Sequence, residues 1–182
     1  MSELNTYKIA FRGLSQGVHH YEFPIDGALF AAYENEEILS SEGVARVALD
    51  RSETQLRCTV QIEAEVVVPC DRCLADCPIT IDFEDELMVK FSDSIDEYDG
   101  EVLWLHPSEK ELDLAQYIYE SVILSLPYQR VHPEGECDPE MMERFRTITE
   151  REEEALEASA TEEESGSWNA QLEAIKAKMT EQ

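Results

Sequence analysis

Two short stretches of this 182-residue chain hold the residues best suited to chemistry. In VVPCDRCLAD, residues 67–76, Cys70 and Cys73 stand three apart. In YQRVHPEGECDPE, residues 128–140, His132 and Cys137 stand five apart in a loop that also holds proline and glycine. Zinc takes four thiolate or imidazole ligands at the corners of a tetrahedron, and Cys-x-x-Cys at a hairpin tip is a common half-site. Cys70, Cys73, His132 and Cys137 would make a Cys3His zinc site that staples the tip to the distant loop. Cys77 is a spare thiol close enough to substitute for His132. Cys58 falls on an apolar strand face, where a thiol serves as a small hydrophobe. Two other readings of Cys70 and Cys73 stand beside zinc: a thiol-redox pair, and unligated thiols in a loop that matters for other reasons. A catalytic redox pair wants a helix N-terminus to lower one thiol's pKa, yet β-patterned segments flank this pair on both sides.

Other residues nominate no enzyme. His19, His20 and His106 have no serine or carboxylate at a telling spacing, and the carboxylates are too many for any pair to stand out. Gly43 and Gly100 read as isolated turn residues rather than a phosphate-cradling loop. No nucleophile stands with its base, and no small-molecule substrate is suggested.

The elements that must position the cysteines are legible from periodicity. Residues 7–11 and 21–25 alternate, with Tyr7, Ile9 and Phe11 on one face and Tyr21, Phe23 and Ile25 on another. GALFAAYE predicts one or two helical turns, and EGVARVALD a further strand ending at the DRSE turn of residues 50–53. Residues 56–68 place Leu56, Cys58, Val60, Ile62, Ala64, Val66 and Val68 at every even position. Residues 79–91 repeat the pattern with Ile79, Ile81, Phe83, Leu87, Val89 and Phe91, broken by Asp85. Period-2 patterns of this length predict antiparallel strands with one wet face, so Cys70–Cys77 is a hairpin tip.

Beyond residue 107 the period becomes helical. Ser108 and Glu111 have capping-box spacing, and Leu112, Ala115, Ile118, Tyr119, Val122 and Leu126 form one stripe before Pro127. This predicts a long helix over 109–126 packed on the inner sheet face. Residues 138–148 predict a short helix with Asp138 as N-cap and Pro139 first. Residues 149–167 read as an acidic linker. In 168–182, Trp168, Leu172, Ile175 and Met179 make a short amphipathic stripe that needs a docking surface, on this chain or on a partner. The expected fold is therefore α+β: an antiparallel sheet of about five strands, open or curled into a partial barrel, under one long helix, with short C-terminal helices and an acidic tail. Its domain would be 1–148.

The chain carries 41 Asp+Glu against 14 Lys+Arg, a net charge of −27. Residues 147–182 hold 10 Glu and 3 Lys or Arg, so a net −20 falls on residues 1–146. A field of that sign repels phosphate polymers and anionic membranes and steers basic partners inward. The start of the chain lacks a basic-then-apolar signal layout, and no apolar run approaches membrane-spanning length. A cytoplasmic protein with reduced thiols is expected.

In order along the chain stand CDRCL (Cys70–Leu74) after an alternating strand, a second strand, an acidic stretch, LDLAQYIYESVILSLP (Leu112–Pro127) and VHPEGEC (Val131–Cys137). With these features over roughly residues 5–146, the chain resembles the bacterial and plastid YceD family, proteins linked to accumulation of large-subunit (23S) ribosomal RNA. The stripe at Trp168 looks like the aromatic-plus-leucine ending of some members. The resemblance implies a non-enzymatic factor in large-subunit ribosome biogenesis, with a ribosomal protein or pre-rRNA as partner. Arg72 at the hairpin tip and Arg130 beside the ligand loop would come together if the metal site forms, giving a small basic spot for partner or RNA contact. The negative field favours a basic ribosomal protein over broad RNA binding. A zinc-stapled interaction module with an unrelated partner is the remaining alternative.

Overall fold

A computed structural model describes residues 6–92 and 102–151. The chain divides into two compact units, Met1–Gly135 and Glu136–Gln182. The first is built on β1 (Lys8–Ile9), β2 (Gly17–Asp26), α1 (Gly27–Ala32), β3 (Ser40–Arg51), β4 (Gln55–Pro69), β5 (Asp76–Phe91), β6 (Val102–Leu105), β7 (Leu112–Asp113) and α2 (Ala115–Leu124).

The five main strands lie in the order β2-β3-β4-β5-β6. The even positions of β4 from Leu56 to Val68 are all buried, so the period-2 reading of that strand holds along its length. Pleating puts their neighbours, among them Glu63 and Glu65, on the opposite, wet face. The sheet is open and mixed. β2 to β5 form an antiparallel meander, but β5 and β6 run parallel, with Met88 beside Val102 and Phe91 beside Leu105. The expected purely antiparallel sheet is corrected on this point. Val102–Leu105 is a four-residue apolar run, too short for its pattern to fix a direction.

The long helix also needs correction. α2 spans ten residues and begins at Ala115, not near residue 109. Leu112 and Asp113 are taken instead by β7, which pairs antiparallel with Ile9 and Lys8. The Leu114 amide donates to the Tyr7 carbonyl, and Asp113 Oδ1 accepts from the Ala115 amide. Ser108, expected as the cap, faces His106 Nδ1 at 2.7 Å. A tertiary strand pair has outcompeted a local cap.

α1 and α2 cover the inner face. Asp26 caps α1 by accepting from the Ala28 and Leu29 amides. Tyr119 of α2 stacks on Tyr33 with ring centroids 4.3 Å apart and meets Phe30 of α1 at 5.9 Å. Asp85, the acid that broke the apolar face of β5, accepts a hydrogen bond from the Tyr117 hydroxyl of α2 at 2.9 Å. Its apparent misplacement is the polar anchor of the helix. Gly43 is likewise not a turn glycine: it sits inside β3 opposite Ala64. A Cβ there would lie 2.4 Å from the Ala64 Cβ, so the ladder closes only without a side chain.

In the second unit, residues 139–151 are helical. Asp138 Oδ1 accepts from the Glu140 and Met141 amides, the N-cap expected from sequence. Trp168, Leu172, Ile175 and Met179 lie outside the described residues. None of the helices among the described residues is long and apolar enough to cross a membrane.

Candidate metal centre

β4 and β5 end opposite each other at Pro69 and Asp76, and the six residues between them form the hairpin tip. The Cys70 amide donates to Ala75 O and the Leu74 amide to Cys70 O, both at 2.9 Å. Leu74 adopts the left-handed conformation (φ 61°) and stays largely exposed. This tight turn buries Cys70 and Cys73 completely or nearly so, at 0% and 3% exposure, while Asp71 and Arg72 face solvent.

The segment after α2 is tied onto the tip by hydrogen bonds. The Asp71 amide donates to Arg130 O at 2.8 Å, and the Arg130 amide returns a bond to Asp71 Oδ2 at 2.7 Å. The Arg130 guanidinium also pairs with Glu37 at 2.8 Å and with Asp71 at 3.6 Å. Of the two arginines expected to form a basic spot, Arg130 is thus occupied by two carboxylates, and Arg72 is exposed on the turn. Asp71, Glu37 and Asp76 are the residues that sequence reasoning missed. Asp71 could have been suspected as a turn-forming acid between two cysteines. Nothing marks Glu37 among so many carboxylates.

Two residues beyond Arg130, the His132 ring is oriented at both nitrogens. Nε2 lies 2.9 Å from Asp76 O, which can only accept, so this nitrogen carries the proton. Nδ1 then presents its lone pair to Cys73 Sγ, 3.4 Å away. A backbone carbonyl that fixes the tautomer is the usual support of a metal-ligating histidine. Cys137, five residues on in the chain, supplies a further sulfur. The ligand atoms of Cys70, Cys73, His132 and Cys137 all lie within 4.8 Å of one another. A tetrahedron with Zn–S bonds of about 2.3 Å has edges of roughly 3.8 Å, so the group needs only a small contraction. Three thiols and an imidazole in this arrangement could hold a metal ion.

The electrostatics suit a thiolate-rich site. Burial pushes the Cys70 thiol up, but the Cys73, Arg72 and His132 amides and the Cys73 side chain bring it down to about 6. The Asp76 carbonyl raises His132 against the opposing effect of burial, and the neighbouring sulfurs add to the rise. Cys77 is buried on β5 opposite Val68 and stands outside the group of four. Its pKa is raised by burial and then by the negative charges at Cys70, Cys73 and Asp71. Cys58 lies on the inner face of β4, where burial alone pushes it to about 12, consistent with a small hydrophobe.

The sequence profile of the family described as large ribosomal RNA subunit accumulation protein YceD matches residues 58–176. That span begins inside β4, takes in all four clustered ligands, and continues to Lys176 beyond the described residues. No curated protein and no solved structure matches the chain.

Proposed function

The chain belongs to the YceD family, and from that premise we propose that it acts in large-subunit ribosome biogenesis by engaging a basic ribosomal protein on the wet face of its sheet. The observation that carries this reading is the cross-strand register. Asp26, Glu42 and Glu65 stand directly opposite one another on β2, β3 and β4, and Glu63 stands opposite Asp82 of β5. Like charges directly opposite destabilise a sheet. On this face Arg46 answers Glu22 and Glu63, and Arg57 answers Glu86. A lysine- and arginine-rich partner would relieve the remaining repulsion and would be drawn in by the chain's net charge of −27.

In this reading the Cys3His group is a zinc staple. Zinc held by Cys70, Cys73, His132 and Cys137 would fix the tip relative to the loop and carry no reaction. Arg72 is the cation by which the tip reaches an acidic group of the partner, since Arg130 is engaged. The 149–167 linker and the stripe of Trp168, Leu172, Ile175 and Met179 are proposed as a tethered docking element. A thiol-redox role for Cys70 and Cys73 has one feature in its favour, the lowered Cys70 pKa. Exchange needs a sulfur open to attack, and both are buried.

Co-sedimentation from lysate at low salt tests the proposal: the protein should travel with large-subunit particles or be captured by free basic ribosomal proteins. Reversing Glu63 and Asp82 to Lys should abolish capture, and deleting residues 150–182 should weaken it. Absence from every particle and from basic ribosomal proteins would sink the reading.

A further inference from the structure

A separate pocket of about 260 Å³ lies at the opposite end of β4 from the cysteines, lined on its polar side by Arg12, Arg51, Ser52 and Glu53. Its apolar side is formed by Phe11, Leu56, Phe91 and Pro107. Arg12 is held without being neutralised: its Nε donates to the Glu109 backbone carbonyl at 2.9 Å, and its guanidinium lies 5.8 Å from the Phe11 ring centre. Arg51 ends β3, opposite Gly17 on one side and Leu56 on the other. Among the described residues neither guanidinium forms an ion pair with a carboxylate.

That pairing pattern is informative in a chain with 41 acids and 14 bases. Lys8, Arg46, Arg57, Arg130, Arg144 and Arg146 each have a carboxylate partner, while Arg72, Lys90, Lys110 and Arg151 resemble Arg12 and Arg51 in forming no ion pair among the described residues. Arg12 and Arg51 differ from these in lining one pocket together. Glu53 is the adverse charge in the pocket, and Gln16 Nε2 donates to it at 3.2 Å. Two guanidinium groups against one carboxylate leave a local excess of positive charge on a strongly negative body.

We propose that this pocket binds the phosphate of a single nucleotide, with Arg12 and Arg51 on the phosphate and the base against the half-buried Phe91 ring. Guanidinium groups match phosphate oxygens with paired N–H donors, and an aromatic ring gives a base a stacking surface. The pocket is small by the standard of ligand sites, which start near roughly 300 Å³. The net charge opposes a long polyanion, so one nucleotide rather than an extended strand is the fitting ligand. A free nucleoside monophosphate and the terminal nucleotide of an RNA share this chemistry.

The test is titration of the full-length protein at low salt, followed by calorimetry and by resonance shifts. The probes are adenosine monophosphate, a short single-stranded RNA with a 5′ phosphate, and a glutamate-rich peptide. Saturable binding of the nucleotide is expected, weakened at least about tenfold in Arg12→Ala and in Arg51→Ala, the loss of one charged hydrogen-bonding group. Arg57→Ala, whose partner is Glu86 on the wet face, should leave affinity unchanged and controls for bulk charge. Binding of nucleotide and RNA together identifies an RNA end as the source, and binding of nucleotide alone a free ligand; both uphold the site. No saturable binding, binding undiminished in the double variant, or equal binding of the acidic peptide would overturn it. Ribosome association does not enter this readout, so the two proposals fail separately.

Discussion

The two ends of β4 use arginine in opposite ways. At the Pro69 end Arg130 is consumed internally, clasped by Glu37 and by Asp71, and its charge goes into closing the loop over the cysteines. At the Gln55 end Arg12 and Arg51 meet around a pocket and keep their charge. Arg72, Lys90, Lys110 and Arg151 also form no ion pair among the described residues, so the convergence of Arg12 and Arg51 on one pocket, rather than the lack of a partner, marks this end. One end is organised to hold itself together, and the other carries the two guanidinium groups that our proposal assigns to a ligand.

The largest effect that would test this contrast is at the cysteine end. Metal analysis of the purified protein should find one zinc per chain if the proposed staple forms. Cys70→Ser and Cys137→Ser should then each release it and each lower the unfolding temperature, because binding energy at a structural metal is folding energy. Full metal retention by both variants would break the comparison, leaving a hydrogen-bonded loop with no staple. Next in size, Gly43→Ala should cost about 1–3 kcal/mol from overpacking against Ala64. The double variant Gly43→Ala, Ala64→Gly should regain little of it in chemical denaturation, because the added Cβ would still lie 2.6 Å from the residue-64 Cα and from the Glu63 carbonyl oxygen. A smaller effect is expected for the clasp itself. A double-mutant cycle on Asp71→Ala and Arg130→Ala should show coupling of about 0.5–1 kcal/mol, modest because both side chains are partly solvated. Coupling near zero would mean that the loop is held by its backbone hydrogen bonds and the cysteine–histidine cluster rather than by this side-chain pair. Smallest of all, Arg51→Ala should shift stability by no more than about 0.5 kcal/mol, because no ion pair is lost. A large loss there would recast the pocket as structural and erase the difference between the ends.

Much of this organisation was legible because it is local or periodic. Residues 56–68 and 79–91 repeat one alternation, broken at Asp85, and that located the hairpin tip between β4 and β5. The clustered group followed from residue type: thiols and imidazole are scarce enough here that Cys70, Cys73, His132 and Cys137 stand out as candidate ligands. Carboxylates are not scarce, and that is why the clasp at Glu37 and Asp71 was invisible. Long-range backbone pairing was hidden for a different reason. Nothing in Leu112–Asp113 announces that it pairs with Lys8–Ile9, so the helix was started too early. Gly43 reads as a turn residue from sequence because its requirement is set by Ala64 and the Glu63 carbonyl on the next strand, not by its own neighbours in the chain. Asp85 looked like a flaw until the Tyr117 hydroxyl supplied its partner.

The pairing of β1 with β7 also sets an order of events during synthesis. The β2–β5 meander needs only its own neighbours, but Lys8 and Ile9 must wait for residues made about a hundred positions later. At a translation rate of about 5–20 residues per second, Lys8 and the buried Ile9 stay without their strand partners for several seconds. Protease sensitivity of ribosome-bound chains should therefore persist at these residues until β7 emerges. This segment leaves the ribosome well before its strand partner, and in that interval it is a segment that a chaperone would meet.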